Sequence, residues 1–180
     1  MVIHCLWVVG KHKKQGLGLK LLEECIRDAK ELGMNGVVSM SAEKSDGLPN
    51  KNFFLKYGFT KVDENKPSFE LYAKPISEGV SMPKFFPLSP EKAKKYDDGI
   101  TIIDGHQCPY LQNMIDNIGE FAETSGIPFH VKVLKNAQEA QQNGINAYGI
   151  YSIVCNGEIV SQTFPRKISE VTEKIKQITS

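Results

Sequence analysis

The sequence predicts a mixed α/β protein built from two small α/β units in succession. An apolar run at the N-terminus, an amphipathic helix and a second apolar run follow one another in the order of a β-α-β unit. The stretch from Pro75 to Pro90 is rich in proline and serine, which disfavour regular structure. A new pattern of alternating strands and helices begins after it. These observations predict one domain over 1–75, a linker over 76–90 and a second domain over 91–180.

The first unit is predicted to open with a buried strand over Val2 to Val9, because this run is rich in β-branched residues and ends at a glycine. A basic loop, Lys11 to Gln15, comes next. Apolar residues then recur at helical spacing from Leu17 to Leu32, and Gly33 ends the helix. A second strand is predicted over Gly36 to Met40.

The rest of this unit is predicted as a short helix and a pair of strands. The helix covers Asn50 to Tyr57 and is ended by Gly58. The strands cover Phe59 to Asp63 and Phe69 to Lys74, and a turn signal at Asn65-Lys66-Pro67 separates them.

The second unit is predicted to have the order βαβαββα. Its strands are expected at 100–103, 129–134, 151–155 and 158–162. Its helices are expected from Leu111 to the stop at Gly126, over Ala137 to Asn143, and from Ile168 to Ile178. Asn156-Gly157 is the strongest hairpin signal in the chain.

Composition excludes several classes of function. The 180 residues carry a formal net charge of +1, which offers no general basic field for nucleic acid. No apolar run is long enough to span a bilayer, and the N-terminus lacks a signal-peptide pattern, so a cytoplasmic protein is expected. The cysteines form no C-x-x-C pair and are expected to be reduced and mostly buried. No cysteine or histidine spacing predicts a metal site.

The most informative segment is Lys13-Lys14-Gln15-Gly16-Leu17-Gly18-Leu19, between the first strand and the first helix. The first turn of a helix leaves backbone N–H groups unpaired and carries partial positive charge. Glycines let an anion approach this backbone, and the lysines add full charges. The segment thus has the chemistry of a pyrophosphate cradle. On its own it is equally an ordinary strand-to-helix turn with surface lysines.

The context of this loop resembles the GNAT acyltransferase family. The loop is similar to the GNAT signature, with Lys13 in its first position and glycines at 16 and 18. Leu6-Trp7-Val8 falls where the family's strand contacts pantetheine. The segment Phe53 to Phe59, a helix leading into Gly-Phe, resembles the second GNAT landmark.

This resemblance implies an acetyl-CoA-dependent N-acetyltransferase that passes an acetyl group to an unidentified amine, either a small molecule or a peptide. The cofactor-binding positions it implies are Leu6, Val8, Lys13, Lys14, Gln15, Gly16, Leu17, Gly18 and Leu19. The tyrosine that many family members use as general acid would fall at Phe54, so no catalytic residue is assigned. The family's asparagine would fall at Gly47.

The family pattern also implies that the N-terminal half of the GNAT domain is missing from this chain. The apolar edge at 2–9 would then be open, and an open edge favours pairing with another chain. A second copy of this chain, a separate partner or a lost upstream segment could cover it. A lost upstream segment is the favoured explanation, with a homodimer as the expected cover in its place. A non-catalytic remnant that binds CoA or a partner is therefore the first alternative to an active enzyme.

Over the whole chain, the pattern resembles the YoaP-like subfamily of GNAT proteins, which carry a C-terminal thioredoxin-like domain. Cys108, in Gly105-His106-Gln107-Cys108-Pro109, falls where such domains place their active cysteine. The position of a second cysteine is Leu111, so a two-cysteine cycle is not expected. Cys108 is left either as a reactive single thiol or as part of a non-redox accessory domain, and a thiol-active protein is the second alternative function.

Overall fold

A computed structural model describes residues 1–42, 48–66, 69–86, 90–147, 149, 151–163, 165 and 167–180. The chain divides into two compact units, Met1–Phe85 and Phe86–Ser180. Each unit has its own four-stranded sheet, which makes the fold mixed α/β.

The elements of the first unit, in chain order, are β1 (Val2–Ile3), α1 (Leu17–Glu31), β2 (Gly36–Ser41), α2 (Lys51–Lys56), β3 (Thr60–Asn65) and β4 (Phe69–Pro75). Its sheet has the strand order β1-β2-β4-β3. Strand β1 is parallel to β2, and the other neighbours are antiparallel.

The predicted strand over Val2 to Val9 is wrong in length. Only Val2 and Ile3 pair with β2, at Val38 and Ser39, while β2 itself continues to Ser41. The backbone of β1 therefore leaves the sheet after Ile3, and a short 3-10 turn at Gly10–His12 follows. The predicted burial of this run is wrong as well, because Val2, Trp7 and Val9 are exposed. An apolar run alone does not show where a strand diverges from its neighbour. The remaining predicted elements of this unit are confirmed to within one or two residues.

The core of the first unit lies between its sheet and its two helices. Leu22 and Ala29 project from α1, and Phe54 projects from α2, onto Val37 of β2 and Tyr72 of β4. All five side chains are at most 2 % exposed. Phe59, directly before β3, closes the cluster. Burial of this apolar surface fixes both helices on one face of the sheet.

The elements of the second unit, in chain order, are β5 (Ile100–Asp104), α3 (Leu111–Ser125), β6 (Phe129–Val133), α4 (Ala137–Asn143), β7 (Tyr151–Cys155), β8 (Glu158–Ser161) and α5 (Ile168–Thr179). A 3-10 segment at Pro90–Lys95, absent from the sequence prediction, precedes them. The sheet has the strand order β6-β5-β7-β8, with β5 and β6 parallel and the other pairs antiparallel.

The hairpin predicted at Asn156-Gly157 is confirmed. Asn156 has φ 47° and Gly157 has φ 79°, the left-handed conformation that a tight hairpin turn requires at both central positions. The core of this unit packs α3 and α5 on the sheet, and Ile118, Ile153 and Ile175 are fully buried in it.

Candidate functional site

The loop between β1 and α1 turns sharply before the helix begins. Lys14 has φ 62° and Gly16 has φ 76°, so both residues are left-handed. The side-chain amide of Gln15 donates a hydrogen bond to the carbonyl oxygen of Lys11 at 2.7 Å. That bond uses one of the two N–H donors of the Gln15 side-chain amide and links the two ends of the turn. Gly16 is the N-cap of α1 and supplies no side-chain cap.

The first turn of α1 presents unpaired donors beside positive charge. The backbone N–H groups of Leu17, Gly18 and Leu19 donate no hydrogen bond to any residue that the structure describes, and the first bond that reaches back is from Lys20 to Gly16. Lys11, Lys13 and Lys14 are exposed and, within the described residues, form no ion pair. No acidic residue lies in this first turn. The arrangement suits an anionic group.

The segment after β1 and the second family landmark meet at Gly18. A Cβ placed on Gly18 would lie 3.5 Å from the Phe53 ring and 3.6 Å from the Leu6 side chain. Both are ordinary van der Waals distances, so these two half-buried residues pack around the helix start. Three sequence motifs that are up to 47 positions apart are brought into one neighbourhood.

The opening between β1 and β2 is fixed by a buried hydroxyl. Ser39, which is fully buried, donates from Oγ to the carbonyl oxygen of Ile3 at 2.9 Å, at the last paired position of β1. Beyond that point, the backbone N–H groups of Leu6 and Val8 donate no hydrogen bond within the described part of the chain. Sequence reasoning missed Ser39, since a serine in an apolar strand gives no signal of what it contacts.

Phe54 is a core residue. Its ring is unexposed and lies against Phe53, Phe59 and Tyr72, with centroid separations of 5.6, 5.1 and 6.2 Å. The ring carries no group that could donate a proton, as the sequence implied. Gly47, the position of the family's asparagine, lies outside the described residues.

A hydroxyl group does lie next to Phe54, on Tyr72 of β4. The Tyr72 ring stacks on Phe54 with an interplanar angle of 21°, and its hydroxyl donates to Oε2 of Glu70 at 2.8 Å. Burial, together with this bond, raises the pKa of Tyr72 to about 12. The phenol thus keeps its proton at neutral pH. Sequence analysis missed this residue, although Glu70 and Tyr72 lie two positions apart in a predicted strand and so project to the same face.

Glu70 connects this buried phenol to the surface. Its Oε1 accepts a hydrogen bond from Nζ of Lys61 at 2.9 Å, and Nζ of Lys51 lies 3.9 Å from Oε2. The bonds from Lys61 and Tyr72 lower the pKa of Glu70. The carboxylate is therefore ionised, and its side chain is 28 % exposed.

In the second unit, Cys108 lies between β5 and α3 and is half-buried. Its carbonyl accepts a hydrogen bond from the backbone N–H of Leu111, the first residue of α3. Buried Asp104 accepts from the backbone N–H of His106 at 2.6 Å and lies 3.3 Å from the His106 ring. Cys25, Cys108 and Cys155 are free thiols. The expectation of mostly buried cysteines is wrong, since Cys155 is buried whereas Cys25 and Cys108 are half-buried and Cys5 is exposed.

The part of the chain that the structure describes contains neither a membrane-spanning helix nor a cluster of metal-ligating side chains. None of the helices there has the length and apolarity required to cross a membrane. In the same residues, no three side chains of histidine, cysteine, aspartate or glutamate are grouped as a metal site would need.

Residues 1–59 match the model of the Acetyltransferase (GNAT) family. The chain is 35 % identical to an uncharacterized N-acetyltransferase of Bacillus subtilis, YoaP, over 89 % of its own length. It spans 64 % of the length of that relative. No solved structure matches the chain. The similarity to the acetyltransferase family therefore lies within the first unit of this chain.

Proposed function

Because residues 1–59 match the GNAT acetyltransferases, we propose that this chain binds acetyl-CoA at the loop 10–19 and transfers the acetyl group to an amine. The observation that carries the proposal is the first turn of α1, where three backbone N–H groups that donate to no described residue follow a segment with three exposed lysines. Gly16 and Gly18 leave this backbone accessible. A pyrophosphate matches such a site in charge and in its need for hydrogen-bond donors.

The bound cosubstrate would supply an acetyl group activated as a thioester. Leu17, Gly18 and Leu19 would hold the pyrophosphate through their N–H groups, while Lys13 and Lys14 would neutralise its charge. Gln15 serves this site by bracing the loop through Lys11. The side chain of Leu6 covers the helix start.

The diverging segment after β1 would act on the thioester carbonyl. The N–H groups of Leu6 and Val8 are not used by the described part of the chain. Such donors polarise a carbonyl and stabilise the oxyanion that develops on it. An attacking amine must be deprotonated, and the sulfur that leaves must gain a proton.

The alternative of a non-catalytic CoA-binding protein is favoured by one observation, the buried phenylalanine at position 54.

A thiol function at Cys108 is the other alternative. Its support is the strand order β6-β5-β7-β8 with one parallel pair, which is compatible with a thioredoxin-like unit, and the cysteine before α3. The free thiols of Cys25, Cys108 and Cys155 suit a reducing compartment such as the cytoplasm.

The binding proposal is tested by calorimetry with acetyl-CoA and with acetyl-pantetheine, which lacks the pyrophosphate. We expect acetyl-CoA to bind, with an affinity that falls as salt is raised, and acetyl-pantetheine to bind at least tenfold more weakly, about 1.4 kcal/mol. Equal affinities, or no binding of acetyl-CoA, would contradict the proposed cradle. Thiol release in the presence of spermidine or a lysine peptide then separates an enzyme from a binding protein.

We also propose that a second copy of this chain covers the edge formed by β1 and residues 4–9. Strand β1 is an edge strand, and Val2, Trp7 and Val9 are 49 %, 57 % and 50 % exposed. Exposed apolar edge strands favour pairing. Sedimentation velocity should show a dimer that a Val2→Lys substitution weakens, whereas Met82→Lys, an equally apolar exposed position in the same unit, leaves it intact. A parent chain that stays monomeric would exclude this partner.

A further inference from the structure

We propose that Tyr72 is the proton donor to the CoA sulfur, in place of the phenol that position 54 lacks. The inference rests on the proposed acetyl transfer and assigns its missing acid. Among the residues described, Tyr72 combines a buried hydroxyl in the aromatic cluster with a hydrogen-bonded carboxylate that reaches solvent.

The position of Tyr72 relates it to the opening between β1 and β2. In the sheet, Tyr72 is the direct neighbour of Ser39, and Ser39 holds the last paired carbonyl of β1. Directly opposed residues of neighbouring strands project to the same face. Tyr72 thus lies on the helix-covered face, one strand away from the point where β1 diverges.

The aromatic cluster connects the same phenol to the loop. Phe53 lies against Gly18, Phe54 lies edge-on to Phe53, and Tyr72 stacks on Phe54. The ring of Tyr72 therefore belongs to the same packed group as the helix start that would hold the pyrophosphate, and its hydroxyl is directed to Oε2 of Glu70. A hydroxyl adds nothing to the packing of an apolar core, and a buried hydroxyl needs a hydrogen-bond partner, which Glu70 supplies here.

The proton balance of the step is complete within these groups and water. The amine nitrogen forms a bond to the carbonyl carbon, the C–S bond breaks, and the sulfur keeps its electron pair. Tyr72 gives the hydroxyl proton to that sulfur. The new amide loses its extra proton to water, and a proton returns from water to the Tyr72 oxygen by way of the Glu70 carboxylate. No oxidant, reductant or further reactant is needed.

The test compares the binding of CoA with that of desulfo-CoA, which lacks the sulfur, and does not depend on turnover. We expect the Tyr72→Phe substitution to reduce the preference for CoA over desulfo-CoA by about three- to tenfold, the effect of one lost hydrogen bond. Affinity for desulfo-CoA should stay unchanged, because the phenyl ring is kept. A structural role for the hydroxyl would change both affinities together or neither.

The matched control is Tyr57→Phe. Tyr57 is the other tyrosine of the cluster and packs on Phe53 with ring centroids 4.9 Å apart. It should keep the full preference for CoA. An unchanged preference in Tyr72→Phe, or a loss in Tyr57→Phe instead, would overturn the assignment while leaving the cofactor site intact. Failure of the parent chain to bind either molecule would instead overturn the proposed function itself, and the assignment with it.

Discussion

We expect the Gly16→Glu variant to bind acetyl-CoA about a hundredfold more weakly than the parent chain, whereas Gly16→Lys retains binding. A carboxylate at the N-cap of α1 would lie beside the phosphates. Two unit charges about 5 Å apart repel by about 3 kcal/mol at an effective dielectric constant of 20, which is about a hundredfold in affinity. Calorimetric titration of the three proteins at one salt concentration measures the difference.

The comparison of glutamate with lysine separates charge from backbone strain. Gly16 has φ 76°, so any side chain there costs about 1–2 kcal/mol in the left-handed region, and both variants bear this cost alike. A Cβ at this position meets no atom within 4 Å, so neither side chain causes a clash. Both variants should therefore be less stable than the parent chain through this strain, with Gly16→Lys the less stable of the two, because a positive charge is unfavourable at a helix N-terminus. Equal losses of affinity in the two variants would point to loop distortion rather than to an anion site.

The elements that sequence reasoning predicted well are those whose signal is local. Asn156-Gly157 specifies its hairpin because two adjacent residues accept the left-handed conformation. The helix over Ala137 to Asn143 has its predicted bounds, and in the structure Asn136 caps it by accepting from the N–H of Glu139 at 2.9 Å. Glycine and the polar caps carry such information within a few positions of the chain.

What the sequence could not predict depends on contacts between distant residues. The divergence of β1 after Ile3 is set by its pairing with Ser39, which lies 36 positions away. The side-chain amide of Gln15 could donate to a phosphate, and the structure shows that it also donates to the carbonyl oxygen of Lys11. The stacking of Tyr72 on Phe54 joins β4 to α2, and no periodicity within either element reports it. The candidate acid was therefore visible only once the sheet register was known.

Phe54 is expected to contribute strongly to the stability of the first unit, because its ring lies at the centre of the aromatic cluster. We expect Phe54→Ala to reduce the free energy of unfolding of this unit by about 3–5 kcal/mol, because the substitution empties the centre of the aromatic cluster. The ring is unexposed and contacts three other aromatic rings. Urea denaturation followed by circular dichroism measures the change.

The control for this substitution is the next residue on the same helix. Leu55 is 49 % exposed, so Leu55→Ala should change the free energy of unfolding by no more than about 0.5 kcal/mol. Alanine favours a helix at both positions, and the comparison therefore isolates burial from helix propensity. Similar effects of the two substitutions would mean that α2 does not pack through Phe54. In that case the stacking that places the Tyr72 hydroxyl beside position 54 would lose its support as well.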